Sequence, residues 1–371
     1  MRLLLLADAD SAHTRKWAVA LAAAGLEVGI FSLRKSTAGW AAAHSGITIF
    51  DAHGLDEATF NGSTAGKLVY LKAILPLRRL ITQFRPQLVH AHYATSYGLL
   101  GRFCGFHPFV LSAWGSDVMN FPQRSLPNRI LLRGNLRAAD AVLATSPTIS
   151  RYIKEVVPRE VEITPFGIDT DVFCRQPVQR LFGNDCIVIG AVKALEKVYR
   201  HDALLDAFAT LHTQHPELPL RLLLVGDGTQ RAALEQQAHA LGISALTTFA
   251  GRVQFADVPA WHNQIDIFAN ISAYESFGVS VLEAMACEVP VIVTDTGGLA
   301  ELVEQGREGY RVSLHNQNEL VQRLYELASD AALRKQFGQN GRQTVLRSYT
   351  WKNNLQQMLA IYKRLAPNSG L

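Results

Sequence analysis

A chain of 371 residues that is 48% hydrophobic and 18% charged, with a net charge of +4, has apolar surface for a full core. That composition excludes disordered and fibrous classes, and at about 150 residues per domain the chain has length for two domains or one large one. Its four cysteines, Cys104, Cys174, Cys186 and Cys287, are scattered without a C-x-x-C pair, which argues against a disulfide scaffold or zinc ribbon and for a reducing cytosol.

The opening residues carry four leucines and then meet Asp8 and Asp10. That run is too short for a secretory leader and predicts a buried strand over 2–7. A helix is predicted over 14–24, with Trp17, Ala18, Leu21 and Ala22 on one face. Further strands are predicted at 27–32, 47–50, 87–91, 109–113, 141–145 and 161–164. Pro165, Gly167, Pro177 and Gly183 then punctuate the chain, and the pattern restarts near residue 186. Strands follow at 187–192, 221–225, 247–250, 266–269 and 289–294, and helices at 201–212, 230–241, 279–287 and 320–328. Apolar strands alternating with helices imply parallel sheets covered on both faces. The expected fold class is α/β, two Rossmann-like doubly wound parallel-sheet domains facing across a cleft. Ligands are expected at the carboxyl ends of the strands. No run of about 18 apolar residues occurs.

Chemistry concentrates in Tyr274, Glu275, Ser276, Phe277, Gly278 and Val279, which lead into an apolar helix carrying Glu283. Glu275 falls on the loop and Glu283 among Val281, Leu282 and Met285. A buried carboxylate is costly unless hydrogen-bond donors meet it. Adjacent sugar or ribose hydroxyls would serve, and so would a lysine or arginine inside the fold. The amides of Ser276, Phe277 and Gly278 open the helix and suit a phosphate or the polar edge of a sugar. Gly226 and Gly228 follow a strand, but Arg231 stands where a third glycine would complete a dinucleotide fingerprint, so NAD is a poor fit.

The segment from Glu275 to Glu283 resembles the Glu-x7-Glu signature of retaining GT-B glycosyltransferases of family 4. The resemblance extends to Gly226 with Asp227 and Gly228, to Gly251, Arg252 and Val253, and to Thr294, Gly297, Gly298 and Glu301. It extends also to Pro165, Phe166, Gly167, Ile168 and Asp169, with Phe166 where the family carries Asn, and to Trp351 and the helix after it. It implies an acceptor-binding domain over 1–170, completed by a helix at 352–366, and a nucleotide-sugar-binding domain over 171–351. By that resemblance Glu275 lies by the donor sugar and Glu283 holds the ribose. Gly226, Gly251, Arg252, Val253, Ser276, Phe277, Gly278 and Val279 complete the donor side.

The leaving diphosphate needs cations. The family's Arg position holds Ala191 and its Lys position Lys197, with Lys193 two residues past Ala191; Lys193 and Lys197 are the expected pyrophosphate ligands. Asp-x-Asp spacing occurs at Asp8 and Asp10 and at Asp169 and Asp171, both outside the donor segment from Glu275 to Glu283, and metal-independent transfer without a cofactor is expected, with charge met by lysines and helix amides. On the acceptor side three strand exits offer His13 and Thr14, then His92 and Tyr93, then Trp114 and Asp117. Trp114 replaces a family His, and Asp117 keeps the carboxylate and is expected among the catalytic groups.

Residues 67–159 hold 13 lysines and arginines against three acids, which suggests an anionic partner. The stretch from Lys67 to Arg85 mixes Leu71, Ile74, Leu77 and Leu80 with Lys72, Arg78 and Arg79, and Pro76 is expected to kink or split it. Those leucines either face the core or an anionic membrane. No nucleic-acid reading motif is present. The expectation is a cytoplasmic retaining glycosyltransferase using a UDP- or GDP-sugar and a carbohydrate or lipid-linked acceptor. It would act in polysaccharide or glycolipid assembly, with peripheral attachment to the inner face of the membrane as an open option. The alternatives are a nucleotide-sugar epimerase of similar fold and a non-catalytic scaffold.

Overall fold

The computed structural model describes residues 1–36, 39–51 and 69–370; Lys67, the first residue of the basic block, lies outside them. The chain divides into two compact units, Met1–Pro165 with Asn354–Leu371, and Phe166–Asn353.

The first unit is a seven-stranded sheet: β1 (Arg2–Leu6), β2 (Glu27–Ser32), β3 (Ile47–Asp51), β4 (Leu88–His92), β5 (Phe109–Ala113), β6 (Ala141–Ala144) and β7 (Glu162–Ile163). Its spatial order is β3-β2-β1-β4-β5-β6-β7, and each pair is parallel. The four leucines of β1 are all fully buried, because helices cover both faces of a parallel sheet. The order reverses beside β1, where such folds open a ligand crevice. The segment after residue 68 splits into a 3-10 turn, Val69–Ala73, and a helix, Ile74–Phe84. Pro76 sits in that helix's first turn, where a missing N–H costs nothing. Leu77 and Leu80 face the core, whereas Leu71 is 38% exposed.

The second unit is a six-stranded parallel sheet: β8 (Ile187–Val192), β9 (Leu220–Val225), β10 (Thr247–Gly251), β11 (Ile267–Asn270), β12 (Val291–Thr294) and β13 (Gly309–Val312), in the order β10-β9-β8-β11-β12-β13. The edge strand β13 escapes the sequence pattern because Arg311 interrupts its four residues. The helix Val279–Ala286 is buried from Ser280 to its end. It packs on the helix Ala331–Ser348, where a Cβ at Gly341 would come within 3.2 Å of Met285. One at Gly338 would overlap the Glu288 carbonyl at 2.0 Å. These two glycines let the helix carrying Glu283 seat against its neighbour.

The units divide between Pro165 and Phe166, where the sequence reading placed the change at 170. The Phe166 ring packs edge-on to Phe277 at 5.9 Å, and Ile168 bridges Thr350, so these residues belong with the second unit. Past Trp351 the last helix, Trp351–Leu365, joins the first unit. There Gln357 donates to the Ile163 carbonyl at 2.7 Å, and the buried Tyr362 hydroxyl meets His90 Nδ1 at 2.6 Å.

Candidate functional site

In the second unit the polar groups collect at the carboxyl ends of β8, β9, β11 and β12. Lys193 leaves β8, its N–H donating to the Val225 carbonyl at 2.9 Å. A Cβ at Gly226, whose φ is +141°, would lie 2.0 Å from the Lys193 carbonyl. One at Gly228 would lie 2.5 Å from that of Leu195. These glycines allow the β9 exit to nest against the Lys193 loop, so their conformational freedom serves backbone packing. The Lys193 ammonium pairs with the Glu275 carboxylate and stands 4.5 Å over the Tyr199 ring. Both side chains remain partly open, at 19% and 13% exposure.

The Glu275 loop is fastened from β12. Gly298 N–H donates to the Glu275 carbonyl at 2.9 Å, and Thr294 Oγ1 donates to the Ser272 carbonyl at 2.6 Å. Cβ atoms at Gly297 and Gly298 would lie 2.3 Å and 2.4 Å from the carbonyls of Glu275 and Ser276. Gly278, at φ +103°, turns the chain into the helix, and Val281 N–H donates to its carbonyl at 3.0 Å. Phe277 is buried and its ring lies 6.1 Å from Tyr349, so only its backbone can face a ligand.

Glu283 sits in the second turn of that helix. Its partner is neither of the cations the sequence suggested: Glu283 Oε2 lies 3.5 Å from Nε2 of fully buried His262. Neither His262 ring nitrogen makes a hydrogen bond among the described residues. Ser280 Oγ, one turn before, is also buried without a partner among them. Sequence reasoning missed both, since His262 lies in an unremarked short helix, Val258–His262. Lys197 is exposed on the turn Lys197–Tyr199. Ala191 is buried within β8 and offers nothing polar. Gly251, at φ +77°, ends β10, with Arg252 exposed and Val253 half-buried beyond it. Gly251 also accepts Gly226 N–H at 2.9 Å, which ties the two strand exits together.

In the first unit a cavity of about 500 Å³ opens at the exits of β1, β2, β4 and β5. Thr14, His92, Tyr93 and Trp114 line it, as do Asp8, Arg34, Tyr97 and Arg124, which sequence reasoning missed. Arg34 lies just past a predicted strand end and was legible on that ground; Arg124 gave no signal. Thr14 is fully buried with Oγ1 unpartnered among the described residues. His92 is buried with its Nδ1 likewise unpartnered, its ring 4.7 Å from those of Trp114 and His90. Burial, reinforced by His13, pushes His92 down to about 3. Burial and Lys16 push His13 down to about 4. Both rings are therefore neutral at pH 7. His13 stacks edge-on against Trp114 at 5.6 Å and does not line the cavity. Tyr93 adopts φ +83°, a strained conformation for a bulky residue and a recurrent mark of functional sites. Its hydroxyl lies 2.7 Å from Ser116 Oγ.

Asp117 departs from the catalytic expectation. It is fully buried, and its oxygens accept the N–H groups of Ala94 at 2.6 Å, Gly115 at 2.8 Å and Trp114 at 3.2 Å. Burial raises its pKa against the pull of these bonds. It fastens two strand exits together and positions Trp114.

Among the described residues, no three or more His, Cys, Asp and Glu side chains gather in a way that could hold a metal ion. No described helix is long and apolar enough to cross a membrane.

Residues 175–344 match the model of the glycosyl transferases group 1, and residues 2–146 match that of the glycosyl transferase 4-like proteins. A D-inositol 3-phosphate glycosyltransferase of Kribbella flavida is 26% identical over 92% of this chain and 87% of its own length. In structure, sucrose-phosphate synthase from Thermosynechococcus elongatus is similar, with a TM-score of 0.83, 20% identity and full coverage of both chains. Anabaena HepE in complex with UDP also gives 0.83 at 20% identity, covering 98% of this chain and all of that one. With family matches to both halves of the sequence and two doubly wound parallel sheets, the chain belongs to the group 1, family 4-like glycosyltransferases of the GT-B fold.

Proposed function

We propose that this glycosyltransferase moves a sugar, with retention of anomeric configuration, from a nucleoside diphosphate sugar held by the second unit to a hydroxyl held by the first. The observation that carries the reading is the pairing of Lys193 with Glu275 at the strand exits. A lysine held beside an acid supplies the cation for a leaving diphosphate and the carboxylate for a sugar in one place. When donor binds, Lys193 turns from Glu275 to the diphosphate, with Lys197 as its second cation. Glu275 then takes the sugar hydroxyls. Glu283 binds the ribose hydroxyls, and the backbone of Gly251, Arg252 and Val253 reads the base. The amides of Ser276, Phe277, Gly278 and Val279 meet remaining negative charge at the helix start.

In the transfer step the bond from the anomeric carbon to the diphosphate oxygen breaks, and the pair of electrons leaves with the diphosphate. The acceptor oxygen bonds the same carbon on the same face, and its proton passes to the departing diphosphate oxygen. Neutral His92, with Thr14 and Tyr93, orients the acceptor hydroxyl in the first unit's cavity; Trp114 and His13 support that ring. Lysines and helix amides supply the charge stabilisation, so no metal or cofactor is required.

The donor is a UDP- or GDP-sugar. HepE, solved with UDP and with UDP-glucose, supports UDP. The acceptor is a carbohydrate or a lipid-linked glycan presented at the inner face of the membrane, in polysaccharide or glycolipid assembly in the cytoplasm. A thermal-shift screen of UDP-, GDP- and ADP-sugars tests the donor class. NMR of the product's anomeric proton tests retention. Inversion, or interconversion of donor sugars without any acceptor, would overturn the proposal. Transfer is expected to survive EDTA; activity lost to chelator and restored by manganese would show that a metal ion, and not Lys193, neutralises the leaving diphosphate.

A further inference from the structure

The helices Ile74–Phe84, Ser96–Cys104 and Leu126–Ala138 connect β3 to β4, β4 to β5 and β5 to β6. All three crossovers advance in one direction across the sheet, and right-handed connections therefore place them on one face. They are neighbours as well. Arg78 Nη2 donates to the Phe103 carbonyl at 2.9 Å. The Arg102 guanidinium covers the Phe103 ring at 5.0 Å and fills the space a Cβ at Gly134 would take. The three helices form one layer, whose outer surface carries two features that rarely coincide.

The first is exposed aliphatic bulk. Leu75, Leu126 and Ile130 are 66%, 70% and 61% exposed, on a chain with ample core to hide them. The second is charge of one sign. Arg79, one turn after Leu75, and Arg133, three residues after Ile130, are exposed. From residue 69 to 138 the sole acid is Asp117, which is fully buried. Exposed acids stand at the edge of these helices, at Asp140, which accepts Phe109 N–H, and at Glu155 on the adjoining helix Pro147–Val156, whose carbonyl accepts from Arg129. Isolated exposed leucines need no explanation. Leucines standing among arginines, with no acid in any of the three helices, match a surface that is negative outside and apolar beneath.

We propose that the outer surface of this three-helix layer docks on an anionic lipid bilayer, with arginines on the headgroups and Leu75, Leu126 and Ile130 at the acyl boundary. The inference rests on the reading of a membrane-presented acceptor and locates the contact. It shifts the centre of that contact from the stretch ending at Arg85 to the helix Leu126–Ala138, because Leu77 and Leu80 are buried while Leu126 and Ile130 are open.

The test is co-sedimentation of the full chain with vesicles of phosphatidylcholine alone and of phosphatidylcholine containing phosphatidylglycerol, at low and high salt. Binding is expected to the anionic vesicles, weakening with salt. The double change Arg79→Gln with Arg133→Gln is expected to reduce partitioning by about thirty-fold, at about 1 kcal/mol per basic residue near an anionic leaflet. Leu126→Ser is expected to reduce it roughly tenfold and to do so at high salt too. Circular dichroism melts should match wild type for all variants, since the changed side chains are exposed. Equal sedimentation with both vesicle types, or with neither, would overturn the proposal. So would a dimer in sedimentation velocity that the same variants dissolve, which would make the surface an interface between copies of this chain. Donor binding, measured by titration of UDP-sugars without vesicles, stands or falls separately, so failure of the docking surface and failure of the transfer reading are distinguishable.

Discussion

Glu275 and Glu283 lie eight residues apart and meet different surroundings, so their losses should differ. Glu283→Gln is expected to weaken donor binding by about 1.5–3 kcal/mol, the worth of a hydrogen bond to a charged group, with isothermal titration as the measure. Glu275→Gln leaves donor affinity within a few-fold and lowers turnover, because its carboxylate also holds Lys193 in place. Lys193→Ala should cut turnover more than Lys197→Ala, since Lys193 is held by an acid and an aromatic face while Lys197 is exposed. The buried histidines add a pH dependence. His92 has a folded pKa near 3 and an unfolded one near 6.5. The unfolded chain therefore binds more protons between those values, and stability falls as pH drops through that window. His92→Asn should spare about 2 kcal/mol of the loss between pH 7 and pH 5, read from urea unfolding at each pH. Parallel losses in the two proteins would show that His92 is not held neutral.

At the scale of elements, strands were the most legible because apolar runs of four to six residues between turn signals fit a parallel sheet and little else. The edge strand β13 was hidden by Arg311, whereas the helices after β3, β4 and β5 were expected between the strands but without bounds, because Pro76, Gly98, Gly101 and the arginines of Leu126–Ala138 blur their apolar pattern. The signature loop was legible residue by residue, but its fastening was not. Thr294, Gly297 and Gly298 announce a strand exit, yet the overlap of a Gly297 Cβ with the Glu275 carbonyl is visible only in three dimensions. Gly297→Ala is expected to cost about 1–3 kcal/mol, as strained backbone positions do, and to lower turnover with it by displacing Glu275. Thermal melts and steady-state rates on the same variant check both. Asp117 teaches the converse: the sequence showed a carboxylate at a strand exit, and nothing in it showed that three amides already occupy the oxygens. Asp117→Ala should therefore destabilise the first unit, since it strips those amides of their acceptor.

For the whole molecule, the sequence disclosed two doubly wound sheets and the return of the last helix, while the exact seam depended on where Phe166 packs. That return has a temporal side. The second unit is one uninterrupted stretch, Phe166–Asn353, whereas the first is Met1–Pro165 together with Asn354–Leu371. Every strand of both sheets has left the ribosome by residue 353, yet the first sheet still lacks Tyr362 against His90. The half that is made first is thus finished last. During synthesis His90 and the rim of β7 wait uncovered while the later unit closes, so a stalled chain leaves its oldest part the more open to proteases and chaperones.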